Sequence, residues 1–191
     1  MLQPLVVDLS MTPAEVTFRP AGPSDADCLS VLATQVFLET YATSGIRIAL
    51  VREAEAHYSI ATFTERLRMP KGRTLLAERG GHLIGFAEVV LGARHRLVPQ
   101  DDAAELTRLY VQSPFLRQGV GRRLLGHAER LASTEGASTL WLTAWVGNAR
   151  ALTFYASQGY ALLGSTPYTF EGEVYENRLF AKSLGSAWST R

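Results

Sequence analysis

Glu105–Gly121 reads ELTRLYVQSPFLRQGVG, and the helical run Arg122–Ala132 follows directly. The stretch divides into a short apolar strand, a loop centred on Arg117-Gln118-Gly119-Val120-Gly121, and an amphipathic helix. In that helix Leu124, Leu125, Ala128, Leu131 and Ala132 fall on one face. A glycine-rich turn feeding a helix N-terminus presents unpaired backbone N–H groups and the positive end of the helix dipole, which suits phosphate or pyrophosphate. The two glycines let the backbone approach such a ligand closely.

A dinucleotide fingerprint needs a third glycine where Leu124 stands, and no Lys-Ser/Thr follows to make a P-loop. The stretch instead resembles the acyl-CoA-binding motif of the GNAT superfamily of N-acetyltransferases, Gln/Arg-x-x-Gly-x-Gly/Ala, here Leu116–Gly121. Leu116 departs from the first position, which removes one side-chain contact and leaves the amides. A tight strand-to-helix connection alone would also need glycines.

A second block carries the resemblance further. After the apolar run Trp141–Trp145 comes Asn148–Tyr160, NARALTFYASQGY. It resembles the GNAT pattern Asn-x-x-Ala-x-x-Phe-Tyr-x-x-x-Gly-Phe/Tyr at every marked position. Local chemistry agrees: Asn148 suits a helix N-cap, and Gly159 suits the residue after the helix end. Both motifs occur in family order and near-family spacing.

The 191 residues lie within the range of one domain with a substantial core. A net charge of +1 gives no reason to expect nucleic acid or a membrane surface as partner. The single cysteine, Cys28, has no internal partner, which is compatible with a reducing cytoplasm. There is no apolar run of about 18 residues and no signal-peptide pattern.

Along the chain, Val16–Pro20 reads as a strand, and Ser24 or Asp25 caps a helix reaching about Tyr41. Ile46–Leu67 forms one or two helices stopped by Pro70. Arg73–Glu78 and His82–Leu91 form a hairpin around Arg79-Gly80-Gly81. Gly92–Ala103 is a polar loop, and Ala104–Val111 and Leu140–Trp145 flank the glycine loop and its helix. Tyr160–Leu163 and Val174–Ala181 are expected to pair around the Pro167–Gly172 segment. The expected fold class is α/β, a single domain over 16–184 between a loose N-terminal tail, 1–15, and a C-terminal tail, 185–191. The resemblance implies a mixed, mostly antiparallel central sheet flanked by helices and split between the strands before and after the glycine-loop helix.

The resemblance also implies the chemistry: direct transfer of an acetyl group from acetyl-CoA to a primary amine in a ternary complex. An alkyl amine is mostly protonated at neutral pH, so a base is needed, and the departing thiolate benefits from an acid. Tyr155 matches the family's general-acid tyrosine; packing with an anchored hydroxyl is its plain structural role. Glu105 is the candidate base, six residues before Val111. Strand alternation sets Glu105, Thr107, Leu109 and Val111 on one face, where a carboxyl pKa would rise. A solvated strand end is the alternative. Glu88, which breaks an apolar strand, is the runner-up; such a residue is paired or functional.

For acetyl-CoA, the resemblance implies backbone pairing of Leu109, Tyr110 and Val111 with the pantetheine. Gln118, Gly119, Val120, Gly121 and Arg122 would hold the pyrophosphate. Arg117, Arg122 and Arg123 are available as charge-assisted donors, and Asn148 contacts the cofactor arm or caps its helix. The acceptor region offers Phe37, Tyr41, Tyr58, Phe63, Glu39, Glu53, Glu55, Tyr168 and Tyr175, an aromatic and acidic set suited to a cationic amine. The Val36–Ala42 segment is similar to polyamine and small-amine acetyltransferases. A protein N-terminus or lysine, and a non-catalytic acetyl-CoA-binding module, remain as alternatives. His57, His82, His95 and His127 are scattered, no metal site is expected, and a homodimer through the last strands fits family habit.

Overall fold

The computed structural model describes residues 15–170 and 172–185. Of the two expected tails, all but Glu15 and Gly185 lie outside the described residues. Strand β1 (Val16–Pro20) leads into helices α1 (Ala26–Tyr41), α2 (Ile48–Tyr58) and α3 (Ile60–Arg68). Strands β2 (Gly72–Arg79), β3 (His82–Leu91) and β4 (Ala103–Val111) follow. Helix α4 (Val120–Thr134), strand β5 (Thr139–Trp145), helix α5 (Ala149–Ser157) and strands β6 (Ala161–Phe170) and β7 (Glu173–Ser183) complete the order. They form one seven-stranded sheet ordered β1-β2-β3-β4-β5-β7-β6. Among the described residues, no helix is long and apolar enough to cross a membrane.

Local sequence accounts for most joints. Gly80 and Gly81, at φ of 59° and 79°, turn β2 into β3 with both central residues in the left-handed region, as a two-residue hairpin of primed type requires. The α2–α3 break falls at Ser59, whose hydroxyl accepts from the Thr62 N–H at 3.3 Å. Gly85 permits the close approach of β3 and β4, because a Cβ there would stand 2.7 Å from the Tyr110 carbonyl oxygen.

The core lies on both faces of the sheet. On one, α4 buries Val120, Leu124, Leu125, Ala128 and Ala132 against Val89, Leu106, Leu140 and Leu142. On the other, α1 and α3 bury Leu29, Leu32, Phe37 and Phe63 against Leu76 and Phe86, with Phe63 and Phe86 edge to face at 5.9 Å.

Two irregularities place the site. First, β4 and β5 pair in parallel only through Ala103↔Thr139, Ala104↔Leu140 and Glu105↔Trp141, then part. β5 continues on β7 as far as Trp145↔Asn177, so the rest of β4 has an open edge. Second, β3 and β4 slip register between Glu88 and Val89, leaving Thr107 as the extra residue of a bulge. Leu106 and Val111 consequently lie in the same α4-side core, with Leu109 packed against it. The expectation that Glu105 shares a face with Leu109 and Val111 is therefore corrected. The bulge reverses the alternation, and Glu105 lies on the face of Arg108 and Tyr110.

The last two strands are also longer than expected. β6 runs through Pro167, which pairs opposite Glu176. Proline is tolerated there because β6 is the sheet's edge.

Candidate active site

A cavity of about 400 Å³ opens where β4 and β5 part. Leu109 and Tyr110 of β4, Trp145 of β5, and Asn148, Ala151 and Tyr155 at α5 line one side. Residues of α1, α2, β6 and β7 close the other. A neighbouring cavity of about 320 Å³ shares Trp145 and Asn148 with it and continues toward Glu39 and Arg150.

The glycine loop lies at the end of β4. Gly119, at φ 79°, is the left-handed N-cap of α4, and Arg117, at φ 60°, is also left-handed, a rare state for a side-chain-bearing residue. The first bond onto the cap runs from Arg123 N–H to the Gly119 carbonyl at 3.0 Å, so the amides of Val120, Gly121 and Arg122 precede the helical ladder. A Cβ on Gly121 would stand 3.8 Å from Val111 and 3.9 Å from Phe154. The loop is thus set beside α5, one residue from Tyr155.

Not every expected donor is free. Gln118 donates to the Pro114 carbonyl at 2.7 Å and accepts from Arg79 at 2.8 Å. Arg123 donates to the Val16 carbonyl at 3.2 Å and lies 4.8 Å over Phe18. One of its five N–H donors is thus committed to the β1 edge, and the side chain is otherwise exposed. Arg117 and Arg122 are exposed.

Tyr155 is 9% exposed, and burial pushes its phenol well above the ordinary tyrosine pKa. Its ring packs edge to face on Phe154 at 5.3 Å and Tyr160 at 5.9 Å. Asn148 caps α5 by accepting from the Ala151 N–H at 3.1 Å, which leaves its amide N–H₂ beside the cavity.

Glu105 does not line the cavity; Leu106, the next residue, does. Burial raises the Glu105 pKa, and Arg108 opposes the rise. Glu88 is paired: its Oε2 accepts from Arg108 Nη1 at 2.7 Å and stands 3.9 Å from Arg66 Nη1. Val111 is buried in the core, so its backbone, not its side chain, is what the open edge offers.

Aromatic rings build the far wall. Phe37 packs on Tyr41 at 5.1 Å and Tyr58 at 5.2 Å. Tyr41 reaches across the split to Trp145 at 5.6 Å, and burial pushes its phenol up to about 12. The Tyr58 and Tyr110 hydroxyls share a hydrogen bond of 3.0 Å. Tyr168 donates to Glu53 at 2.8 Å. Of the expected acceptor residues, Phe63 sits in the core and Glu39 bonds Ser113 Oγ at 2.5 Å; Glu55 is exposed. Sequence reasoning missed Arg108 and Trp145. The available signal for Arg108 was a charge of opposite sign to Glu88 inside the neighbouring, mostly apolar strand.

Among the described residues, no cluster of three His, Cys, Asp or Glu side chains forms a metal site.

A split sheet, a glycine-capped helix beside the split and a buried tyrosine facing it define an acyltransferase architecture. Residues 40–160 match the acetyltransferase (GNAT) family. The chain belongs to that family of acetyltransferases. An uncharacterised N-acetyltransferase of Mycobacterium tuberculosis is 27% identical over 154 residues, covering 81% of this chain and 94% of the relative. A ribosomal protein bS18-alanine N-acetyltransferase of Salmonella typhimurium is 41% identical over 59 residues, 31% of this chain and 40% of that protein. Among solved structures, the PaiA N-acetyltransferase of Thermoplasma acidophilum, in complex with coenzyme A, shares the fold. Its TM-score is 0.70 at 21% identity, covering 88% of this chain and 99% of that one.

Proposed function

We propose that the protein transfers an acetyl group from acetyl-CoA to a small primary amine by direct attack in a ternary complex. The open edge of β4 beside a cavity that holds Tyr155 carries this reading. Acetyl-CoA supplies an activated acetyl thioester. The residues fit it: Leu109–Val111 offer unpaired backbone groups, and the α4 N-terminal amides with Arg117 and Arg122 suit its pyrophosphate.

The chain's own groups then divide the work. A buried, protonated Tyr155 is the donor for the sulfur that leaves as the N–C bond forms. Glu105, at the apex of the split, takes the ammonium proton through water, since Leu106 and not Glu105 lines the cavity. The aromatic wall receives the cationic amine before it is deprotonated.

The acceptor is small because the cavity is small. A polyamine suits it less than a monoamine, because Arg47 and Arg108 line the cavity against Glu53. A peptide N-terminus is the second reading, favoured by the likeness to the ribosomal-protein-alanine acetyltransferase. A cytoplasmic location accords with the single cysteine, Cys28. Pairing of two copies through β6 and β7 accords with exposed Leu162 and Val174. The test is thiol release from acetyl-CoA over a panel of small amines, polyamines, amino acids and short peptides. A saturable small-amine signal is expected. Silence across the panel with acetyl-CoA still bound would leave a binding module instead of an enzyme.

A further inference from the structure

Three charged side chains converge beside the cavity. Glu88 is 5% exposed and accepts from Arg108 Nη1 at 2.7 Å, with Arg66 Nη1 at 3.9 Å. Arginine stays protonated in proteins, so two guanidiniums share the Glu88 carboxylate, and Glu105, on the same face of β4, is the further carboxyl that feels Arg108. Guanidinium donors are nonetheless left over. Arg66 Nη1 and Arg108 Nε are buried, with no hydrogen-bond partner among the described residues. Buried donors are ordinarily satisfied, and an uncompensated buried charge is costly.

Arg108 is the member of this triad that lines the cavity. Its guanidinium lies 5.4 Å over the Tyr58 ring, and it directly precedes Leu109 on the open edge. Among the described residues, the other charges on the cavity wall are Arg47 and Glu53, and Glu53 already accepts from the Tyr168 hydroxyl. Arg108 therefore presents a guanidinium on the cavity wall where a ligand's acid group can meet it, amid apolar and aromatic walls.

We propose that Arg108 receives a carboxylate of the acceptor, so that the substrate class is a small amino acid with an apolar or aromatic side chain. The carboxylate sits on Arg108 and the amine is turned toward Tyr155. The inference rests on the transferase reading and narrows its acceptor. It separates that acceptor from a peptide N-terminus, whose neighbouring carbonyl is an uncharged amide, and from a polyamine, which offers no anion.

Matched pairs test it on the wild-type protein: thiol release with phenylalanine, phenylalaninamide and phenethylamine. The amide's amine is less basic and more often neutral, so reactivity alone favours the amide. A charge-assisted contact predicts the opposite order, with kcat/KM for the acid higher by about tenfold or more. Equal or inverted order overturns the assignment. A second measurement needs no turnover: hydrocinnamate should bind the CoA-loaded protein at least about tenfold more tightly than hydrocinnamamide. Hydrocinnamate binding without any thiol release would sink the transferase reading and keep Arg108 as a carboxylate site. Thiol release without acid preference would do the reverse. In the variant Arg108→Gln, which leaves Glu88 and Arg66 as a neutral pair, the acid preference should vanish while acetyl-CoA affinity is retained. Persistence of the preference there overturns the proposal.

Discussion

Glu105 faces Trp141 in the last register that β4 and β5 share. One step further along β4, Leu106 already lines the cavity, so a half-buried carboxyl stands at the apex of the split. The β3–β4 bulge aims it toward the Arg108 face, and burial makes it a weaker acid than an ordinary glutamate.

That position fixes the sign of a pH effect. A carboxyl whose pKa is raised by folding binds its proton more tightly in the native state. Its cost to stability is absent below the ordinary carboxylate pKa and complete above the raised one, so stability falls as pH rises through that window. Glu105→Gln should therefore raise Tm at about pH 7 and leave it unchanged at about pH 4. Thermal melts at the two pH values check this.

The same variant should lower kcat by on the order of a hundredfold and remove the acid limb of the pH–rate profile. Turnover at the wild-type rate would strip Glu105 of the base role.

Tyr155→Phe should lower kcat by on the order of a hundredfold with acetyl-CoA affinity unchanged. Because burial holds the phenol protonated, Tyr155 should set no alkaline limb in the neutral range. Parallel losses of turnover and cofactor binding would make Tyr155 a packing residue. Calorimetric titration beside steady-state kinetics separates the two.

The glycine loop separates fold from binding. Gly119→Val places a β-branched residue at φ 79° and should cost about 1–2 kcal/mol of stability as well as acetyl-CoA affinity. A Cβ at Gly121 meets only ordinary contacts at 3.8 and 3.9 Å. Gly121→Ala should therefore keep or raise Tm through its helix propensity, by up to about 1 kcal/mol, while weakening acetyl-CoA binding. Unchanged affinity in Gly121→Ala would mean that the backbone there does not approach the pyrophosphate.

Glu88→Ala removes the only carboxylate that Arg66 and Arg108 share among the described residues. Breaking a buried pair in this way costs about 3–5 kcal/mol, and urea unfolding should read a loss of that size. A change under about 1 kcal/mol would mean that water reaches both guanidiniums.

The elements that carry local chemistry were legible in the sequence. The Gly80-Gly81 hairpin, the Gly119 turn into α4, the Asn148 cap and the Phe154-Tyr155 packing face each follow from a few adjacent residues, and each stands where expected. What escaped depends on pairs far apart in the chain. The Thr107 bulge exists only in the register of β4 against β3, so the face of Glu105 could not be read from alternation. Glu88 read as a break in an apolar strand, but its partner Arg108 lies 20 residues away and meets it only across the β3–β4 pairing, at 2.7 Å. Pro167 hid the length of β6, because its tolerance depends on β6 lying at the sheet edge.

The most direct test is a single turnover of bound acetyl-CoA with the best small amine, following the acetylated amine by mass alongside the released thiol. The account predicts one amide formed per thiol released in the wild-type protein, and slow formation in Tyr155→Phe with equal acetyl-CoA occupancy. Bound acetyl-CoA that yields no amide with any small amine, or thiol release that acetylates the protein instead, would contradict it.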